Sequence, residues 1–505
     1  MALALMQRLT TYSGMRRALH VLAHRCSLLA GLMLVMLPSF AHAHSFGRLY
    51  NLPVPFWLYA YGAAAALALS FLLIAWFATG AQPARPQQAK WLQLPEPAAA
   101  IVITTLQVLS LAGLALCIAT GFFGNRNPYL NFSMTFFWIV FVLGFSYLTA
   151  VTGDLYAAIN PWQSLARLMG LGVRDFTRGR LRYPARLAYW PALVFYMAFI
   201  WIELFAHTKP FSLALLLLAY TFINLAGVWL VGLSAWFRYC EFFAVFLRLV
   251  AKMAPFHHEP ATPRHAARWR LRAPFVGLLE ERAEHMSLVL FVLFMLSSTA
   301  FDGLRVTVPW FKLFWLDPFN LVTPWVNTSP VYAYAVLRPI YLAYETFCLL
   351  LSPFLYCAIY LLLIGLAKLL TRSALPLKEL ALCFALSLLP IALVYNITHY
   401  YTLILTQGVT ILSLFSDPFG WGWNLFGTAG QFRAPILPSM DMVWHSQVGL
   451  ILLGHIVSVY LAHREALALF PTRGRAILSQ LPMLLLMMCF TTAGLWILAL
   501  PIQSG

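Results

Sequence analysis

From residue 55 to the C-terminus the chain alternates long apolar runs with short polar connections, and no polar stretch is large enough to fold alone. Runs of spanning length cover residues 55–79, 99–121, 132–152, 187–207, 211–232, 286–306, 339–370, 379–405, 442–461 and 479–500. A helix of about 20 apolar residues crosses a hydrocarbon core of about 30 Å. The pattern therefore predicts an all-α fold, a polytopic transmembrane helical bundle of about ten spans.

The N-terminus follows a different pattern. Arg8, Arg16, Arg17 and Arg25 precede a shorter apolar run, 26–37, followed by Pro38 and the small-residue pattern Ala41-His42-Ala43. These are the parts of a secretory signal peptide, predicted over 1–43, which leaves 44–505 as one transmembrane domain. Cleavage would make His44 the first residue and put an α-amine beside its imidazole, a pair that chelates copper. The plainer reading is that His44 merely follows the scissile bond.

Composition and charge sharpen this picture. Hydrophobic residues make up 62% of the 505 and charged residues 10%, where a soluble domain carries roughly a quarter charged. A net charge of +17 raises the possibility of nucleic acid, so the placement of the charges decides. With the mature N-terminus outside, 22 of the 33 Lys and Arg fall in inner loops, seven fall outside and four lie in the leader. That is the positive-inside bias of a topology signal, with both termini of the mature chain extracytoplasmic. It points to a multi-pass protein of a bacterial inner membrane, with the lipid bilayer and no nucleic acid as partner. The seven cysteines form no CxxC pair, so neither a disulfide framework nor a thiolate metal site is indicated.

Three connections are long. The inner one, about 234–285, opens with an amphipathic stretch (Trp236, Phe237, Phe242, Phe243 and Phe246 with Arg238, Arg248 and Lys252) expected to lie along the headgroups. Its basic tail, with His257 and His258, is expected to be a solvated loop. The outer ones, about 307–338 and 406–441, are rich in Trp, Phe, Pro and Gly and are expected to cap the helices.

An ionisable side chain in a bilayer is a functional candidate by default, because burying it costs several kcal/mol unless it is paired. At about 1.5 Å per residue, Glu203, Asp302, Glu345, His399 and His445 all fall roughly 5 to 10 Å inside the predicted outer boundary, on five different spans. His44 could hang over them, and His455 lies deeper. Carboxylates and imidazoles converging at one depth, without thiolate, suit a divalent metal such as zinc, manganese or iron. The metal set so predicted is His399, Glu203, Asp302, His455, His445 and His44, and the catalytic set Glu203, Asp302 and Glu345. Local pairing competes with this: Glu203 with His207, Asp441 with His445, Asp302 with Arg305, and Glu345 with Arg338 two turns away. It accounts least well for His399, whose span offers no nearby carboxylate. Haem ligation by His399 with His455 is disfavoured by a depth difference of about 10 Å at the same rise. Asp154 through Asn160-Pro161-Trp162 is expected to be a helix-ending turn. No P-loop, dinucleotide fingerprint, nucleophile elbow or HExxH occurs.

Several segments resemble the family of bacterial membrane proteins known as fenitrothion hydrolase. They are His44-Ser45-Phe46-Gly47-Arg48 with Leu52-Pro53-Val54-Pro55 and Tyr61-Gly62-Ala63-Ala64-Ala65, and Ser298-Thr299-Ala300-Phe301-Asp302-Gly303. The run from Ser416-Asp417-Pro418-Phe419-Gly420-Trp421-Gly422-Trp423 to Thr428, the stretch Gln447-Val448-Gly449 to His455, and Ala462-His463-Arg464 complete the likeness. It implies hydrolysis of a lipophilic organophosphorus triester, with release of a nitrophenol, and allows for a second membrane subunit. It carries over no catalytic residue, and it implies an aromatic residue where His445 stands.

The expected function is thus a membrane-embedded phosphoric triester hydrolase in which a metal-activated water attacks from the extracytoplasmic side. An ion- or proton-coupled transporter or channel, and a copper-handling or redox membrane protein using His44, are the alternatives. A transporter should carry ionisable residues on toward the inner face, where this reading finds chiefly His455.

Overall fold

The computed structural model describes residues 55–78, 91–92, 96–171, 179–259, 268–432 and 434–499. The predicted leader 1–43 and His44 lie outside the described residues. In chain order the principal helices are α1 (Phe56–Phe77), α2 (Glu96–Phe123), α3 (Phe132–Thr152), α4 (Pro161–Leu168), α5 (Trp190–Phe205) and α6 (Pro210–Val231). They continue with α7 (Phe242–Ala251), α8 (Met286–Arg305), α9 (Tyr334–Thr371), α10 (Leu377–Thr406), α11 (Met440–Leu469) and α12 (Arg473–Ala499).

The chain is a multi-pass helical membrane protein. Among the described residues nine of these helices are long and apolar enough to span, all but α4, α5 and α7. The fourth expected span is the exception. Its helix, α5, has 16 residues, about 24 Å at 1.5 Å per residue, shorter than a hydrocarbon core of about 30 Å. Pro210 opens the next helix and the connection takes up the rest of the predicted run.

Two helices are buried on nearly all sides. Leu288 to Thr299 of α8 is buried without a break, as is Leu380, Ala381 and Cys383 to Val394 in α10. A helix apolar all round belongs in the interior of a larger assembly, and here α5, α9 and α10 pack around α8, while α3 and α11 flank α10. Polar contacts tie the layers where dispersion alone would leave register loose. Ser297 and Ser352 hydroxyls meet at 2.9 Å between α8 and α9, and the Trp201 indole donates to Thr346 at 2.9 Å between α5 and α9. Residues Thr135–Phe145 of α3 are wound as a π-helix, a rare geometry that is frequent at functional sites.

Two expectations about the inner connection are corrected. The amphipathic stretch does not lie along headgroups: in α7, Phe242, Phe243, Val245, Leu247, Leu249, Val250 and Ala251 are buried. Its rings find better partners in the bundle, with Phe242 5.0 Å from Phe199 and Phe243 5.0 Å from Phe141 between centroids. The basic tail is not simply a loop. His257 and His258 sit in β2 (Phe256–Glu259), antiparallel to β3 (Arg268–Leu271), which also pairs with β1 (Trp91–Leu92). Backbone pairing across the connection satisfies groups that a loop would leave to water.

The aromatic loop after α10 folds over the start of α3. Asn125 N–H donates to the Phe419 carbonyl at 2.7 Å and Phe132 N–H to the Pro418 carbonyl at 3.2 Å.

Candidate functional site

Glu203, Asp302 and His399 each stand within about two turns of the C-terminal end of their helices, α5, α8 and α10. The packing of α5 and α10 on α8 brings the three together. His399 Nε2 lies 2.7 Å from Asp302 Oδ2, and the Tyr400 hydroxyl donates to the same oxygen at 2.9 Å. Tyr400 is also the polar neighbour of Glu203, which in turn feels the charges of Asp302 and His399. A quarter of the imidazole surface stays open, against 15% of the Asp302 side chain. With Nε2 committed to Asp302, Nδ1 is the ring nitrogen left to act as a base.

One cation balances the carboxylates. Arg305 acts electrostatically on Glu203, Asp302 and Glu345. Its Nη1 donates to the Leu204 carbonyl at 3.2 Å, and its guanidinium lies 4.9 Å from the Phe205 ring centroid. The expected pairing within one turn, Asp302 with Arg305, is thus replaced by a bridge from α8 to the end of α5. His207, the expected local partner of Glu203, sits instead near Arg305 and Arg338. Burial and these two positive charges hold its pKa below the usual imidazole value.

Glu345 is buried on α9 beside Tyr341, Trp310 and Arg305, and senses Asp302 only through charge. His445 joins Asp441 in the predicted local pair at 3.1 Å, exposed. His455 is buried, bonded through Nδ1 to the Ile451 carbonyl of its own helix at 2.8 Å, with the Tyr395 ring beside it. Among the described residues no three His, Cys, Asp or Glu side chains form a group able to hold a metal. The Asp302 oxygen that would bind one is already shared by His399 and Tyr400. Among the described residues the expected grouping on five helices is a three-helix cluster of Glu203, Asp302 and His399 with Glu345 at its edge, and His44 of the expected metal set lies outside them.

A cavity of about 40 Å³ lies against this cluster, its walls mostly apolar (Val142, Phe199, Ile200 and Phe246 among them) with Glu203, Tyr400, Ser146, Ser298, Thr299 and Asn396 as polar exceptions. That volume has room for a few water molecules at those polar groups. Ser146 directly follows the π-helical turns of α3. Tyr147, next to it, donates to Asn396 at 3.2 Å and so fixes α3 to α10 one turn from Tyr400. The adjacent rings of Phe242 and Phe243 also line it.

Sequence reasoning missed two participants. Tyr400 follows His399 directly, and neighbours on a helix point about 100° apart, so only a pocket that wraps the helix uses both. Glu241, just outside the spans, was submerged in the amphipathic stretch. It is 1% exposed and caps α7, accepting from Phe243 N–H at 3.1 Å and Ala244 N–H at 2.7 Å. An acidic residue immediately before an apolar helical run is the signal that could have found it.

Comparison with family models, with curated proteins and with solved structures finds no match to this chain.

Proposed function

We propose that the chain is a membrane-embedded hydrolase of lipophilic organophosphorus triesters, with His399 as general base and Asp302 orienting it. The observation that carries this reading is the 2.7 Å contact between His399 Nε2 and Asp302 Oδ2 in a partly open, otherwise buried site. A carboxylate on one ring nitrogen fixes the tautomer, strengthens the other nitrogen as a base and stabilises the imidazolium that forms. Nδ1 takes a proton from water as its oxygen attacks phosphorus. The bond from phosphorus to the aryl oxygen breaks, and the imidazolium returns its proton to the departing phenolate, leaving a phosphodiester. Tyr400 holds Asp302 in place, and Glu203 beside it is a second carboxyl able to exchange that proton. The substrate class comes from the resemblance, and a lipophilic triester partitions into the bilayer where such a site lies. The dyad carries this reading without a step routed through a metal ion.

Purified protein in lipid nanodiscs should release nitrophenol from a dialkyl nitrophenyl phosphotriester. His399→Gln and Asp302→Asn should each lower kcat by roughly 10²- to 10⁴-fold, the span of general-base contributions. Full activity in both variants would remove the dyad. Absence of hydrolysis by the wild type would remove the reading.

A further inference from the structure

A second buried acid centre lies apart from the site above. It is built around Glu241, which accepts from the Tyr220 hydroxyl of α6, from Asn160 at 3.4 Å before α4, and from the two backbone N–H groups at the start of α7. Tyr156 stands between it and Asp154, within the electrostatic reach of both. Its hydroxyl has no hydrogen-bond partner although the residue is only 1% exposed. An orphaned buried hydroxyl costs about 1–3 kcal/mol, so a fold that keeps one beside two carboxylates calls for an explanation. Asp154 is bonded by the Ala157 N–H at 3.0 Å and lies in the field of Arg248 and Lys252. Gly153, with φ of +86°, makes the turn that brings Asp154 and Tyr156 under α3, and a side chain there would strike the Phe256 carbonyl of β2.

The two centres are neighbours across one wall. The cavity lined by Glu203 and Tyr400 is also lined by Phe242 and Phe243, the two residues that follow Glu241 in the chain. Their ring centroids are 4.0 Å apart, and each packs near Tyr220, at 5.7 and 6.0 Å. Neighbouring one another are thus the carboxylate cluster, the cavity, the aromatic pair, the buried glutamate, the unpartnered tyrosine hydroxyl and the half-buried aspartate beside basic side chains. Chains of acids and hydroxyls through a helical membrane bundle are how protons cross it.

We propose that this chain conducts protons between its two faces along Glu203, the cavity, Glu241, Tyr156 and Asp154, with Phe242 and Phe243 as the constriction. Each proton taken up at one end is matched by one released at the other, so the protein returns to its starting charge. At Tyr156 a proton arrives on the hydroxyl oxygen as the original one leaves to the next carboxylate, which requires a hydroxyl not tied up elsewhere. The aromatic pair holds the cavity water away from Glu241 until the rings move, so conduction is slow and gated. This activity does not depend on the hydrolase reading.

The test is proton flux in proteoliposomes carrying an internal pH-sensitive dye, with potassium and valinomycin to clamp the potential after an acid step. The wild type should dissipate the gradient well above protein-free vesicles. Tyr156→Phe should slow the flux roughly tenfold, as expected for breaking a relay of intramembrane polar groups, and Glu241→Gln at least as much. Tyr156→Phe deletes an oxygen that bonds to nothing, so its loss of flux cannot be assigned to misfolding. Wild-type vesicles that hold the gradient like empty ones overturn the proposal, as does a Tyr156→Phe protein that conducts like the wild type.

Discussion

His399 and Asp302 stand 97 residues apart in the chain and 2.7 Å apart in space. The contact joins α8 and α10, the two helices most enclosed by the bundle. Removing Asp302 leaves a partly buried imidazole without its carboxylate, and removing His399 leaves Asp302 with only the Tyr400 hydroxyl and the field of Arg305, which is where most of the cost of such a substitution arises.

Tyr400 supplies the second hydrogen bond to the same Asp302 oxygen. Tyr400→Phe should therefore act on the dyad without removing it. One hydrogen bond contributes about 1 kcal/mol net, so kcat for the phosphotriester should fall roughly fivefold with KM little changed. Steady-state kinetics in nanodiscs distinguish this from a binding defect, which would raise KM instead.

Metal removal separates the dyad from the metal-activated water that composition alone pointed to. Treatment with a strong chelator followed by desalting should leave hydrolysis unchanged. Loss of activity that zinc, manganese or iron restores would mean that ligands other than the described cluster hold an ion.

Glu241 gives the stability a pH dependence. Burial pushes its pKa up to about 7, against the opposing hydrogen bonds from Tyr220, Ala244, Phe243 and Asn160. The folded state therefore favours the protonated acid. Its contribution is fully present below the unfolded value of 4.5 and is lost as pH rises through about 7. A displacement of that size corresponds to about 3 kcal/mol. Thermal unfolding in detergent should show the wild type weakening between pH 5 and 8, and Glu241→Gln should flatten that slope. An identical slope in both proteins would place the titration elsewhere.

Asp317 organises the connection before α9. It accepts from the N–H groups of Leu321, Val322 and Thr323 at 2.8, 2.8 and 2.7 Å and from the Thr323 hydroxyl at 2.8 Å. Asp317→Ala should free this loop, raising its susceptibility to limited proteolysis while hydrolysis is largely kept. Loss of triester activity without loop cleavage would tie Asp317 to the site itself.

Much of the protein was already legible in its apolar runs. Run length follows from the thickness of the hydrocarbon core, so the sequence alone determined an all-α, multi-pass architecture, and nine of the ten expected spans appear as helices of spanning length. It also marked Glu203, Asp302 and His399, because a charge within an apolar run is costly wherever the helix points. Depth along a helix can be counted from the sequence, but rotation about its axis and choice of neighbour cannot. The pair of His445 with Asp441 follows from four-residue spacing within one helix, whereas only tertiary packing decided that Asp302 meets His399 rather than Arg305 and that Tyr400 joins the same oxygen. The same holds for α7. Its composition suited a headgroup surface, and the Phe199 and Phe141 rings contributed by α5 and α3 drew it inside, taking Glu241 with it. Pairing across helices depends on the orientation of several segments at once, and no single stretch of sequence contains it.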